Sequence, residues 1–409
     1  MSSKFHFNHS KGKIFLLSLE TRGIKLGLSR TKKLLQSCKN PQKSINSVQI
    51  IGTNGKGSTA ASMSAILKHA GYKVGLYTSP HLVNVNERIQ INNQSIPDEY
   101  IDFFIEKYKN EIIDLSCTFF ESLTVLALHY FFDNDVDIAI LETGLGGKYD
   151  SVTACNPNLQ LFTSISKDHM HILGNNIEDI AKNKAYAIQK GVPCISVKQT
   201  RVVRNILDKF ADKQKTKIDY QIKLDNRDFS SPLMGEHQFE NLSLAIKACK
   251  QLYKINYETL LAGSKKIFWP GRIQTIQKNP NVIFDVSHNE ESILAFCEFF
   301  KSLSSTENKT LIISLQKTKN IKNTVSKLSS LFNRIIVTQL NQQMYTTREL
   351  RSIFSSVNHV TELSYSSKNI HEIVINSKKN DFIAIIGSHY WGEEIEKIFK
   401  ISLVTYIDK

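Results

Sequence analysis

An α/β fold is what this sequence predicts, with a parallel-sheet N-terminal domain and a smaller α/β domain after it. Three observations predict it. Short, near-continuously apolar runs recur along the chain. Helical patterns separate them. The same alternation starts again after Trp269-Pro270-Gly271.

Val48–Ile51, Val74–Tyr77, Val136–Leu141, Leu161–Ile165 and Cys194–Val197 read as the first strands. Their lack of polar alternation suits central parallel strands covered on both faces. Met63, Ile66, Leu67 and Ala70 have the spacing of a buried helix stripe, as do Ala245, Ala248, Cys249 and Leu252. Val282–Val286, Leu311–Leu315, Ile335–Thr338 and Phe382–Ile386 form the second series. The expected division is therefore residues 1–271 and 272–409. The polar segment Lys213–Asp228 reads either as a small excursion of the sheet or as a surface hairpin.

The 409 residues suffice for two or three domains of ordinary size. The best membrane candidate, Leu123–Phe132, is too short and contains His129. Ile14–Leu19 is apolar but no small-residue cleavage site follows it, so a cytoplasmic location is expected. The six cysteines form no CxxC pair and suit neither a zinc site nor a disulfide framework. Buried, reduced thiols are expected instead. The net charge of +14 is spread over the chain without a basic block interleaved with aromatics. Nucleic acid and membrane are therefore not expected as partners. Steering of anionic substrates is compatible with this charge.

Val48–Ile51 runs directly into Gly52-Thr53-Asn54-Gly55-Lys56-Gly57-Ser58-Thr59 and then a helix. Strand, glycine-rich turn and helix form a phosphate loop. Its backbone N–H groups wrap an anion, and the helix N-terminus adds a favourable dipole. Lys56 can reach the β- and γ-phosphates, and the Ser58 hydroxyl can bind Mg²⁺. The spelling is a variant: Ile50 stands where the usual first glycine would be, and Gly57 separates lysine from hydroxyl.

Further polar residues follow other strands. Ser79 lies past Tyr77, Glu142 ends the third run, and Asp168-His169 follow the fourth. In a parallel sheet those ends converge on one crevice. Hydroxyls and carboxylates, completed by substrate phosphates, suit Mg²⁺.

The loop resembles that of the folylpolyglutamate synthase/dihydrofolate synthase group of the Mur ligase family. Thr78-Ser79-Pro80-His81-Leu82 with Glu87-Arg88, and Phe119-Phe120-Glu121, are similar to it in the same order. So are Leu141 to Gly147, Asp168-His169, Lys184-Ala185, His237-Gln238 with Asn241, Trp269 to Arg272, Asp285 with His288-Asn289, and Gly387-Ser388. The resemblance implies a P-loop ATPase-like first domain and a Rossmann-like second one. It implies ATP as substrate and two Mg²⁺ ions held by Ser58, Ser79, Glu142 and His169. Lys184 would support them as a carbamate, with Lys56, Lys184 and His169 as the catalytic set. Asn241, Arg272, Asp285 and His288 would meet the nucleotide, together with residues 52–59. Thr118, Phe119, Phe120, Glu121, Tyr149, Asp150 and Ser151 would form the acceptor pocket.

The activity so implied is ATP-dependent ligation of L-glutamate to dihydropteroate, to a reduced folate, or to both, by a monomer through an acyl phosphate. Folylpolyglutamate synthesis alone, another Mur-type amino-acid ligation and a non-catalytic nucleotide-binding homologue are the alternatives. The chain departs from the family pattern at Lys148, Asn183, Tyr186 and Glu290.

Overall fold

A computed structural model describes residues 10–221, 229–303 and 308–404. The first sheet holds β1 (Ser47–Ile51), β2 (Val74–Tyr77), β3 (Ile89–Ile91), β4 (Gln94–Ser95), β5 (Ile138–Glu142), β6 (Leu159–Phe162), β7 (Cys194–Ser196) and β8 (Ile218–Asp219). Their order is β4-β3-β2-β5-β1-β6-β7-β8. The pairs from β2 through β8 are parallel, while β3 and β4 close the edge as antiparallel additions.

β1 lies between β5 and β6, where the chain's crossovers diverge to opposite sides. A crevice opens at the carboxyl end of such a strand. Every residue of β1 and β5 is buried. Helices cover both faces, which is why these strands carry no polar alternation. The helix Lys56–His69 buries Met63, Ile66 and Leu67 against the sheet and against Ala245, Ala248 and Cys249 of the helix Glu236–Leu252. Ala70 and Leu252, at the ends of the two stripes, are only half-buried.

The second sheet holds β9 (Gln274–Lys278), β10 (Asn281–Asp285), β11 (Lys309–Ile313), β12 (Arg334–Val337), β13 (Val360–Glu362) and β14 (Phe382–Ile386), ordered β13-β12-β11-β14-β10-β9. Only β9 is antiparallel to its neighbour. On one of its faces Phe296, Phe300, Phe332 and Phe382 pack together within a largely aliphatic core.

Several boundaries differ from the sequence reading. The run Leu161–Ile165 is a strand only over Leu159–Phe162. Beyond it the chain leaves the sheet, because the Ser164 carbonyl accepts the Thr53 N–H of the phosphate loop at 2.7 Å. Of the segment Lys213–Asp228, Ile218–Asp219 extends the sheet, and 222–228 lie outside the described residues. All six cysteines are buried and free. Leu123–Phe132 belongs to the helix Phe119–Asp133, and among the described residues no helix is long and apolar enough to cross a membrane.

Candidate functional site

The phosphate loop links β1 to the helix Lys56–His69. Gly55 adopts φ +83°, and a side chain there would run into the Asn241 side-chain amide oxygen. Glycine alone satisfies both constraints. Gly57 explains the variant spelling: a Cβ at that position would lie 2.9 Å from the Trp269 ring, which covers the loop.

Lys56 donates from Nζ to the Thr53 carbonyl at 3.1 Å and stands 3.9 Å from Glu142 Oε1. Glu142 closes β5 and is buried. Its Oε2 accepts the Ser79 N–H at 3.0 Å. Burial raises its pKa, against the opposing pull of Lys56 and the Ser79 N–H.

The Ser58 hydroxyl is 1% exposed and has no hydrogen-bond partner among the described residues, and the Thr59 hydroxyl is likewise unpartnered. Buried polar groups are normally paired, so an orphan here needs an explanation. A hydroxyl and a buried carboxylate facing a phosphate loop are hard oxygen donors, and they fit Mg²⁺.

Lys184, near the end of the helix Ile177–Ala185, is 3% exposed. Its Nζ donates to the Gly52 carbonyl at 2.6 Å, directly behind the phosphate loop. Burial, aided by the charge of Lys56, lowers its pKa to about 7. It has no carboxylate partner within 4 Å among the described residues. An amine so placed is partly neutral near neutral pH.

One cavity of about 260 Å³ unites these groups with the second domain. Residues 52–58, Ser79, Glu142, Asp168, His169 and Lys184 line it from one side, with Asn241 and then Arg272, Asp285 and His288 from the other. Thr59 does not reach it. Asp285 is tied down: Oδ2 accepts the Ile273 N–H at 2.8 Å and Oδ1 the Ser287 N–H at 2.8 Å. The carboxylate thereby shapes the turn that presents Arg272.

A larger cavity of about 630 Å³ adjoins the first, and Ser79, Pro80, Gly144, Leu145, His169, Leu173 and His288 line both. Thr118, Phe119, Phe120, Glu121, Tyr149, Asp150 and Ser151 all line it. They do not all face it freely. Glu121 completes the capping box with Thr118 and pairs with Arg30 at 3.0 Å, so its charge is already matched. Both Asp150 oxygens accept backbone N–H groups, from Leu145 at 2.8 Å and Val152 at 3.0 Å, and burial raises its pKa to about 6. Tyr149 stands exposed at the rim, where Lys148 Nζ lies 4.8 Å from its ring and 4.6 Å from that of Tyr186. Two of the chain's departures from the family pattern thus meet here.

Four residues of the site had no assigned role in the sequence reading. Lys319 is buried and reaches Asp168 Oδ1 at 2.6 Å and His169 Nε2 at 3.2 Å. Burial alone would raise the Asp168 pKa, but His169, Lys319 and His288 outweigh it and hold the carboxyl well below its usual range. Asn289 forms an amide pair with Asn54 at 2.9 Å and also donates to Asp168 at 3.0 Å. Glu291 accepts from Asn54, from Ser164 at 3.2 Å and from Ser166 at 2.8 Å. Arg88 was noted only within the resemblance. No local signal marks Lys319 in its lysine-rich stretch; only folding buries it.

Residues 50–197 match the family described as Mur ligase middle domain. A Bacillus subtilis protein named dihydrofolate synthase/folylpolyglutamate synthase is 32% identical over 92% of this chain and 96% of its own. A Schizosaccharomyces pombe protein named probable dihydrofolate synthetase is 30% identical over 93% of this chain and 100% of its own. In three dimensions, Mycobacterium tuberculosis folylpolyglutamate synthase, solved with ADP and AMPPCP, superposes with a TM-score of 0.87. It covers 96% of this chain and 99% of its own at 22% identity, a likeness of fold.

Proposed function

The chain belongs to the dihydrofolate synthase/folylpolyglutamate synthase family of Mur-type ligases, and from that premise we propose how its residues divide the work of joining L-glutamate to a pteridine-bearing carboxylate with ATP. The observation that carries the reading is the junction of two cavities along Ser79, Pro80, His169 and their neighbours. One is lined by the phosphate loop, the other by the aromatic residues Phe119, Phe120 and Tyr149.

ATP lies in the first cavity with its phosphates on residues 52–58, and Asn241 and Arg272 meet the nucleotide from the other side. Ser58, Ser79, Glu142 and His169 would hold two Mg²⁺ ions. When bound, those ions offset charge on the transferring phosphoryl group. Lys56 adds its charge at the γ-phosphate. Lys184 supports the site as a carbamate, formed when its neutral amine adds CO₂ and releases a proton; its depressed pKa favours that addition.

An oxygen of the acceptor carboxylate attacks the γ-phosphorus. A P–O bond forms, the bond to ADP breaks, and an acyl phosphate results. Positioning and electrostatics dominate such steps. The amine of glutamate then attacks the acyl carbon, phosphate leaves, and the nitrogen sheds a proton to give the amide. Asn289, Glu291 and Lys319 tie the second domain across the cleft and exclude water from the acyl phosphate.

Both dihydropteroate and a reduced folate are acceptors in this reading. The division at residues 271/272 separates the phosphate-loop domain from the domain that closes on it. Both cavities are complete within one chain, which supports action as a monomer. Six buried free thiols suit the reducing cytoplasm. The test supplies ATP, Mg²⁺ and glutamate with dihydropteroate or tetrahydrofolate. Amide product and ADP from both acceptors are expected; product from neither contradicts the proposal.

A further inference from the structure

We infer that Arg88 is the residue that grips the acceptor's reacting carboxylate and presents it to the phosphate loop, an inference resting on the larger cavity being the acceptor site. Arg88 ends the short turn Val85–Arg88 and is 9% exposed. It lines the larger cavity but not the nucleotide cleft. Its guanidinium lies 5.2 Å from the centre of the Phe119 ring. Nε donates to His81 Nδ1 at 2.8 Å, which fixes the plane of the fork. The two terminal nitrogens have no hydrogen-bond partner among the described residues.

The charge is also unmatched. Glu20, Glu142 and Glu87 act on Arg88 from a distance, with no carboxylate within 4 Å among the described residues. Glu87, its neighbour in sequence, is turned away to accept N–H groups of Leu82 at 2.9 Å and Val83 at 3.0 Å. The domain's other partly buried arginines are satisfied. Arg30 pairs with Glu121, and Arg22 donates to the carbonyls of Ile112 and Cys117.

An unpaired buried cation is strongly unfavourable. A guanidinium held flat by one nitrogen leaves a fork matched to a carboxylate. Arg88 shares the cavity wall with Ser79, where the two cavities meet. Dihydropteroate and a reduced folate each bring a carboxylate as the reacting group, so Arg88 serves both.

The test compares Arg88→Met and Arg88→Lys with the unaltered full-length chain. Michaelis constants are measured for dihydropteroate, ATP and glutamate, and dihydropteroate binding by calorimetry. In Arg88→Met the acceptor KM is expected to rise by about tenfold or more, from loss of a charged hydrogen-bond pair. Arg88→Lys restores part of it, and the constants for ATP and glutamate stay within about twofold. A rise for glutamate instead of the acceptor overturns the inference, and so does a loss of kcat with all three constants unchanged. If Arg88→Met does not fold, Arg88→Lys decides: an unaltered acceptor KM rejects the role. If the unaltered chain forms no amide, the functional reading fails. Calorimetry then decides separately, and equal dihydropteroate binding by the unaltered chain and either variant rejects the role of Arg88.

Discussion

Lys319 and Asp168 are 151 residues apart in sequence, and their side chains meet at 2.6 Å across the cleft between the two sheets. Both are nearly buried, at 3% and 9% side-chain exposure. The Asp168 carboxylate also receives Asn289, so it gathers second-domain groups onto the loop that carries His169. The cleft is held shut by polar contacts, which suits a surface that must open for substrates.

Removing the cation should therefore loosen the closed arrangement. Lys319→Met leaves a buried carboxylate without its partner, a change that costs about 3 kcal/mol or more. Urea unfolding should show a loss of that order, and small-angle scattering should show a larger radius of gyration. Unaltered stability and dimensions would mean the pair does not hold the cleft.

Glu142 and the orphaned Ser58 hydroxyl make a second prediction. Glu142→Gln keeps the shape but removes the charge available to a cation. The Mg²⁺ concentration for half-maximal activity should rise by about tenfold or more, in line with the loss of a first carboxylate ligand. ADP binding without metal should change little. An unaltered Mg²⁺ dependence would exclude Glu142 from the metal set.

Lys184 predicts a pH signature in the metal-free protein. Its folded pKa, about 7, lies below the unfolded value of 10.5. Between those values the unfolded chain binds the additional proton, so stability rises with pH through that window. Below about pH 7 both states carry the proton and the burial penalty is complete. Lys184→Met should remove this rise, read as melting temperature against pH in chelator and carbonate-free buffer. Lys184→Ala should abolish turnover while ATP still binds. A slope unchanged by Lys184→Met would contradict the buried, neutral-leaning amine.

Much of this was legible in the sequence because the central strands are apolar throughout and the phosphate loop is a local device. β3, β4, β9 and β13 were not foreseen as strands, and β8 only as one of two alternatives for its segment. They are two to five residues long, and all but the buried three-residue β3 are half-buried or exposed, so they carry no apolar run to announce them. Residues 52–58 and Glu142 sit at the ends of recognisable strands, and convergence could be inferred from the parallel sheet alone. Lys319, Asn289 and Glu291 reach their partners only after two domains dock, and no local pattern encodes that. Phe119 and Glu121 line the larger cavity as the sequence assigned them, and the fold also engages them in core packing and in a cap with an ion pair, which no local pattern announces.

The route through an acyl phosphate is tested most directly by labelling the acceptor carboxylate of dihydropteroate with ¹⁸O. Supplied with ATP, Mg²⁺ and glutamate, the protein should form the amide and release inorganic phosphate carrying one ¹⁸O from that carboxylate. Amide formed with unlabelled phosphate would contradict the account.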